Sequence, residues 1–283
     1  MEKTWFITGC SSGLGQGIAQ SVLRRGGRAA VTARDPSKLN TLVQSCPERI
    51  LPLQMDLNDK ESIEHAVQET CQWFGSIDVL VNNAGHGYRA AIEESTPEAV
   101  EEVFQTNFFG PMRLTQLVLP QMRARRRGQI INITSIGAVR GALGNGYYSA
   151  AKGAMELASE SLAKEVKHLG IRVMLVEPVA LRTGFYGDRL KSSRLSIPDY
   201  GVLAEQYRKG PQTNRHNQLG DPSRAGEIVV ETALRPDAPF RLLLGSDAVQ
   251  AAKETLETRL RELQLWMDTS RQSDFSENSF SGE

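Results

Sequence analysis

Apolar residues along this chain follow two alternating patterns. Short, nearly continuous apolar runs occur at 4–8, 28–33, 50–55, 77–82, 129–134, 171–177 and 240–244. Runs of that length without polar alternation predict strands buried on both faces, as in a parallel sheet. Between them, apolar residues recur three or four apart. That spacing predicts helices at 16–25, 60–73, 97–107 continuing to about 125, 149–168, 224–234 and 248–266. In the first helix Ile18, Ala19, Val22 and Leu23 make the stripe. The alternation predicts an α/β fold: a single-domain, doubly wound parallel sheet of about seven strands with helices on both faces. Ligands of such sheets sit outside the carboxyl ends of the strands.

Two segments break the alternation. Residues 183–222 are polar and rich in Gly and Pro, yet carry Phe185, Tyr186, Leu190, Leu195, Ile197, Tyr200, Leu203 and Tyr207. The segment is too long for a simple connection and is expected to act as a lid over a substrate. The rival reading is a rigid subdomain packed permanently on the core. Residues 268–283 are polar and Ser-rich, a composition expected of a disordered tail. The expected organisation is one catalytic domain at 1–267, containing the lid segment 183–222, and a C-terminal tail at 268–283.

At 283 residues the chain can bury one large core. Lys and Arg total 33 and Asp and Glu total 33, so no net field draws it to nucleic acid or to an anionic membrane. No run reaches 18 apolar residues, so no membrane-spanning helix is expected. The chain enters its first strand at once, so no signal peptide is expected. Three cysteines, Cys10, Cys46 and Cys71, lack metal-ligand spacing, and no metal is expected. They suit a reducing cytoplasm better than a disulfide framework. Cys10 reads as a small packing residue. The cluster Arg123, Arg125, Arg126 and Arg127 ends the long helix, where cations cap carbonyls and favour the helix dipole.

Candidate chemistry gathers at the predicted strand ends. The first strand runs into Thr8-Gly9-x-x-x-Gly13-x-Gly15, with Ser11, Ser12 and Leu14 between the glycines. Glycines let a phosphate approach the peptide N–H groups, and the following helix N-terminus favours its charge. This predicts a dinucleotide site. The second strand ends at Ala33, where an NAD site has an acidic residue for the ribose 2′-hydroxyl. Arg34 follows and suits a 2′-phosphate, so NADP(H) is preferred and NAD(H) remains possible. Asp35 can also be read as the acidic residue, one place late. Asp56 and Leu57 follow strand three, and Asn82-Asn83-Ala84-Gly85 ends strand four. Ser135 ends strand five, and Pro178 and Thr183 follow strand six.

Tyr148 and Lys152 lie at i and i+4 of one helix, so their side chains share a face. A tyrosine with a pKa of about 10 is an indifferent acid at neutral pH. A neighbouring ammonium stabilises the phenolate and lowers that value. The phenol can then protonate a developing alkoxide, with Ser135 bonding the same oxygen. Tyr147 is the adjacent rival, but it lies five residues from Lys152 and points elsewhere. Such pairs are usually structural; the strand-end serine and the glycine turn give this one its chemical reading.

With these motifs in order, the chain resembles the short-chain dehydrogenase/reductase family over roughly residues 3 to 250. The matching residues are Thr8-Gly-x-x-x-Gly-x-Gly15, Asn82-Asn-Ala-Gly85, Asn107, Ser135, Tyr148-x-x-x-Lys152 and Pro178…Thr183. The phrases 242–248 and 8–13 are similar to a bacterial subgroup related to retinol and 17β-hydroxysteroid dehydrogenases. The resemblance implies a Rossmann-type fold and a catalytic tetrad of Asn107, Ser135, Tyr148 and Lys152. Asn107 would hold a water that links Lys152 to solvent. Asp56 would meet the adenine amino group, and Asn83 would support the sheet near the ribose. Lys152 would bind the nicotinamide ribose, and Thr183 the carboxamide or diphosphate. The family's Pro-Gly after strand six is Pro178-Val179 here, which adds a side chain beside the nicotinamide. A homodimer or homotetramer through the helices at 97–125 and 149–168 is implied too.

The expected activity is reversible, NADP(H)-dependent reduction of a ketone or aldehyde. The rivals are an NAD-dependent hydroxysteroid- or retinol-type dehydrogenase and a non-catalytic NADP-binding protein. The substrate-facing segments 86–88, 137–145 and 185–186 mix aromatic and small apolar residues, so a small hydrophobic carbonyl compound or alcohol is expected. His86 and Phe185 are candidate substrate contacts beside Ser135 and Tyr148, although a lone loop histidine is more often a wall.

Overall fold

The computed structural model describes residues 2–187, 189–213 and 218–275. Nine strands are formed among them: β1 Thr4–Ile7, β2 Arg28–Ala33, β3 Ile50–Gln54, β4 Val79–Asn82, β5 Gly87–Arg89, β6 Gly128–Ile133, β7 Ile171–Pro178, β8 Leu190–Ser192 and β9 Arg241–Leu244. Ten α-helices accompany them: α1 Gly13–Arg24, α2 Asn40–Ser45, α3 Lys60–Phe74, α4 Pro97–Phe104, α5 Gly110–Ala124, α6 Ile136–Val139, α7 Gly146–Val166, α8 Gly201–Thr213, α9 Pro222–Leu234 and α10 Ser246–Arg271. Seven strands form one parallel sheet in the order β3-β2-β1-β4-β6-β7-β9. This is the single-domain doubly wound α/β architecture expected. The chain order reverses between β1 and β4, which opens the crevice where the glycine turn and the 82–85 segment meet.

Each face of the sheet buries its own core. On one face Ile18 and Val22 of α1, Leu39, Leu42 of α2 and Val229 of α9 meet Ile7, Val31 and Val81. On the other, Ile63 of α3, Leu114 and Val118 of α5 and Leu162 of α7 meet Phe6, Leu80 and Ile130. Helix starts follow local chemistry. Asp59, Thr96 and Asp221 cap α3, α4 and α9 with side-chain oxygens, and Pro97 and Pro222 open the latter two. Pro52 is tolerated in β3 because that strand lies at the sheet edge.

Several boundaries differ from expectation. The fourth strand starts at Val79, not residue 77. Ile77 is buried, but its N–H binds Gln121 Oε1 at 3.0 Å and its carbonyl takes Arg125 Nη2 at 2.6 Å, so neither joins the ladder. Arg125 also reaches Asp78, and Arg126 Nη2 holds the carbonyl of His168 at 2.7 Å. The expected continuous helix from 97 to about 125 is interrupted by a π turn at Gln105–Phe109. Pro111 has no N–H to return to the Asn107 carbonyl, and the Gly110 N–H bonds Gln105 one residue further back than an α-helix would.

The segment 183–222 is built from short pieces. Gly184–Tyr186 and Pro198–Tyr200 are 3-10 turns, β8 pairs in parallel with β5, and α8 closes the segment. Its ends are joined by a bridge between Leu181 and Gly220, where the Arg182 N–H donates to Gly220 O at 2.8 Å. Tyr207 of α8 is buried; its hydroxyl donates to the buried Glu94 at 2.6 Å and accepts the Ala91 N–H at 3.2 Å. The last helix runs to Arg271, past residue 266 and into the segment expected to be tail. From Leu256 onward its apolar residues, including Leu260, Leu263 and Trp266, are exposed. The rest of the expected tail, 276–283, lies outside the described residues.

Candidate active site

The glycine turn is held open by its neighbours. Thr8 Oγ1 accepts the N–H groups of Asn83 and Ala84 at 2.9 and 2.8 Å. Asn83 Nδ2 returns a bond to Thr8 O at 2.7 Å. The ends of β1 and β4 are thus latched together. Gly9 has φ 72°, a left-handed conformation, and an added Cβ would meet Ala84 Cα at 2.9 Å. A Cβ at Gly15 would meet Gly9 O at 2.6 Å. Ser12 precedes α1 in extended conformation with no side-chain cap, and no acid stands in the first turn. The α1 N-terminus therefore presents N–H groups and a positive dipole end to an anion. These features fit a dinucleotide pyrophosphate.

Around this turn a pocket of about 430 Å³ is lined by Gly9, Ser11, Ser12, Arg34, Asp56, Leu57, Ala84, Gly85 and His86. Sequence reasoning put all nine at the site. It missed Arg189, which also lines the pocket and donates from Nη2 to Ser11 Oγ at 2.7 Å. Burial pushes the Arg189 guanidinium below its ordinary value, and Arg34 nearby adds to the effect. Asp35 is occupied: it accepts from Ser37 N–H at 3.1 Å and Ser37 Oγ at 2.6 Å, capping the turn Pro36–Leu39. Those bonds hold its carboxyl below the usual range.

The second cavity, about 320 Å³, joins the glycine turn to the candidate catalytic group. Gly13, Leu14, Asn107, Ser135, Tyr148, Lys152, Pro178, Thr183 and Phe185 all line it. Ser135 caps α6, accepting the Gly137 N–H at 3.0 Å. Tyr148 is buried, with its ring 6.0 Å from that of Phe185 and 5.9 Å from Lys152 Nζ. Lys152 Nζ donates to Ile133 O at 3.0 Å, and burial pulls its pKa down to about 8. Asn107 sits in the π turn, where Nδ2 donates to His86 O at 3.1 Å and Val103 O at 2.9 Å. Its buried Oδ1 lies beside Gly85, where an added Cβ would be 2.6 Å from it and 3.5 Å from Lys152 Nζ. α7 is set by a buried chain of bonds: Asn82 Nδ2 to Asn132 Oδ1 at 2.8 Å, and Asn132 Nδ2 to Ser159 Oγ at 2.8 Å.

His86 lines the first pocket and not the second. Its Nδ1 lies 3.2 Å from Gly87 O, and burial lowers its pKa. Cys10 is fully buried, its thiol donates to Ile7 O at 3.2 Å, and burial raises its pKa to about 12. Beside the site lies a cluster outside the expected set. Glu177 at the end of β7 is 2% exposed, and Glu156 of α7 is also buried. Arg241 Nε reaches Glu177 Oε1 at 3.3 Å and Glu156 Oε2 at 4.0 Å. Burial, then the neighbouring Glu156, raises the Glu177 carboxyl to about 7.

A parallel sheet with a glycine turn at its switch point and Ser, Tyr and Lys in one cavity defines a class of nicotinamide-dependent oxidoreductases. Residues 3–193 match the family described as short chain dehydrogenase, and the chain belongs to that family. It is an oxidoreductase of CH–OH and C=O groups using a nicotinamide cofactor. Oxidoreductase BOA17 of Botryotinia fuckeliana is 34% identical, over 95% of this chain and 98% of that one. Retinol dehydrogenase 8 of Bos taurus is 37% identical, over 84% of this chain and 80% of that one. A short-chain dehydrogenase structure from Streptomyces avermitilis is similar at TM-score 0.89 and 37% identity, covering 97% of this chain and 99% of that one. An alcohol dehydrogenase from Thermococcus sibiricus, solved with 5-hydroxy-NADP, is similar at TM-score 0.70 and 25% identity, covering 86% and 96%. No helix among the described residues is long and apolar enough to cross a membrane.

Proposed function

We propose that the chain reduces a ketone or aldehyde to an alcohol with NADPH, reversibly, and that Tyr148 is the proton donor. The observation that carries this reading is the single cavity shared by Gly13 and Leu14 of the cofactor turn and by Ser135, Tyr148 and Lys152. The bound nicotinamide would supply hydride to the carbonyl carbon. Ser135 and Tyr148 would hold the carbonyl oxygen, and Tyr148 would protonate it. Lys152 lies one helical turn from Tyr148, and its cation favours the phenolate left behind. With a pKa of about 8, Lys152 keeps that charge at neutral pH. Asn107 Oδ1, beside Lys152, would hold a water that returns the proton from solvent.

Preference for NADP(H) is supported by Ala33 in the acidic position, by Asp35 being engaged with Ser37, and by Arg34 on the pocket wall. Arg189 would clamp the phosphates from the other side. Asp56, Leu57, Asn83, Ala84, Pro178 and Thr183 complete the cofactor walls in this reading. A second reading, retinol-type oxidation with NAD, is favoured by the similarity to retinol dehydrogenase 8. The three free cysteines suit a reducing cytoplasm. Exposed Phe109 and Leu157, on the two helical stretches expected to pair, support a homodimer or homotetramer.

The test is oxidation of NADPH across a panel of carbonyl compounds. Tyr148→Phe should lower turnover by about 10²- to 10⁴-fold, the usual worth of general acid catalysis, and leave NADPH affinity near wild type. Retention of more than about a tenth of kcat would assign the proton to another group.

A further inference from the structure

Only the first turns of α10 are buried. Ala248, Ala251 and Ala252 pack on the body of the fold, and Arg259 Nη2 donates to Val139 O of α6 at 2.6 Å. A second set of apolar residues on this helix is exposed: Val249, Leu256, Leu260, Leu263 and Met267. Their spacings are seven, four, three and four residues. That alternation is the seam of a coiled coil, with Val249, Leu256 and Leu263 at d and Leu260 and Met267 at a. Lys253 and Ser270 extend the register at its two ends. A continuous apolar stripe exposed on a helix marks a surface that another helix covers.

The charges decide what covers it. α10 carries five acids and four bases, so it has no cationic excess to hold it on an anionic bilayer. A second copy of the same helix fits in one arrangement. A parallel pair would put Lys253 against the partner's Lys253 inside the seam. An antiparallel pair with Leu260 on the partner's Leu256 would set Glu257 against the partner's Glu257 and Arg259 against the partner's Arg259. Moved by one heptad, the antiparallel pair removes every such conflict. Leu260 then meets the partner's Leu263, and Leu256 meets the partner's Met267. Lys253 meets the partner's Ser270, and Glu257 meets the partner's Gln264. Arg259 meets the partner's Trp266, an exposed indole whose face attracts a cation.

We propose that α10 is an interface between two copies of this chain, packed antiparallel through Leu256, Leu260, Leu263 and Met267. It is separate from the pairing expected of the helices at 97–125 and 149–168, and it does not rest on the reductase reading.

The experiment is sedimentation velocity of the full chain over a range of concentrations, for the wild type and for a double variant, Leu260→Glu with Leu263→Glu. Both residues are exposed in one copy, so circular dichroism and Tm should stay near wild type. The variant should stop at half the assembly that the wild type reaches, with the dissociation constant of that step raised on the order of 100-fold. A second variant reads the orientation. Gln264→Lys would face the partner's Glu257 in the proposed pair and should tighten the step about threefold or more. In a parallel pair the same lysine would face the partner's Arg259 and loosen it. Equal masses for wild type and double variant at every concentration would overturn the proposal, as would weaker association of Gln264→Lys. Wild type that stays at the variant's mass but sediments with phosphatidylcholine–phosphatidylserine vesicles would assign the stripe to a membrane surface instead.

Discussion

The proton on Glu177 should make this protein lose stability as pH rises, and Glu177→Gln should remove that loss. Glu177 is 2% exposed, shares Arg241 with buried Glu156, and has its carboxyl raised from 4.5 to about 7. The unfolded chain releases this proton near 4.5, whereas the folded chain holds it to about 7. Folding therefore takes up a proton between those values. The contribution is fully present below 4.5 and is lost as pH rises through 7. A shift from 4.5 to about 7 corresponds to about 3 kcal/mol when complete, most of it lost between pH 5 and pH 8. Arg241 is 41% exposed and admits solvent to the cluster, so screening brings the expected loss to about 1–2 kcal/mol. Glutamine keeps the shape and cannot ionise. Urea unfolding of wild type and Glu177→Gln near pH 5 and pH 8 measures the difference. The variant should gain on the wild type as pH rises. A constant difference at both pH values, or a variant that loses ground at the higher one, would refute the reasoning.

Two further outcomes are expected. Arg34→Asp should weaken NADPH binding at least about tenfold more than NADH binding, the worth of a lost charge-assisted contact plus a new repulsion. Equal changes in the two dissociation constants would remove Arg34 from cofactor selection. If the segment 183–222 is a lid, its amides should exchange quickly in the free enzyme and be protected when NADP and a substrate analogue are both bound, and Tyr207→Phe, which cuts the bond to Glu94, should hasten exchange in α8. Equal protection in free and ternary states would instead mark a permanently packed subdomain.

The seven-stranded sheet was legible because buried parallel strands leave continuous apolar runs, and the glycine turn, residues 82–85 and Ser135 lay where such runs stop. Gly9 and Ser135 could be placed for that reason, and Lys152 by its spacing from Tyr148 along a helix. The β5–β8 ribbon was not legible. Gly87-Tyr88-Arg89 and Leu190-Lys191-Ser192 are too short to show a period, and each pairs only with the other. Arg189 was missed because it lies in a polar segment where one arginine resembles any other; only its approach to Ser11 marks it. The π turn left one local sign, Gly110-Pro111 inside a helical pattern. The reach of α10 to Arg271 carried no apolar signal, since its last turns face solvent.

The ribbon also joins two segments that lie far apart in the chain. Gly87 pairs with Leu190, and the loop between them contains β6, β7 and α7. Closing a loop of that length costs about 4 kcal/mol in chain entropy, and only six residues of pairing return it directly. The latch between Thr8 and Asn83 closes a shorter loop between adjacent buried strands. The outer wall of the catalytic cavity is thus held by a short ribbon between segments far apart in the chain, and its amides should exchange faster under mild denaturant than those of the seven-stranded sheet.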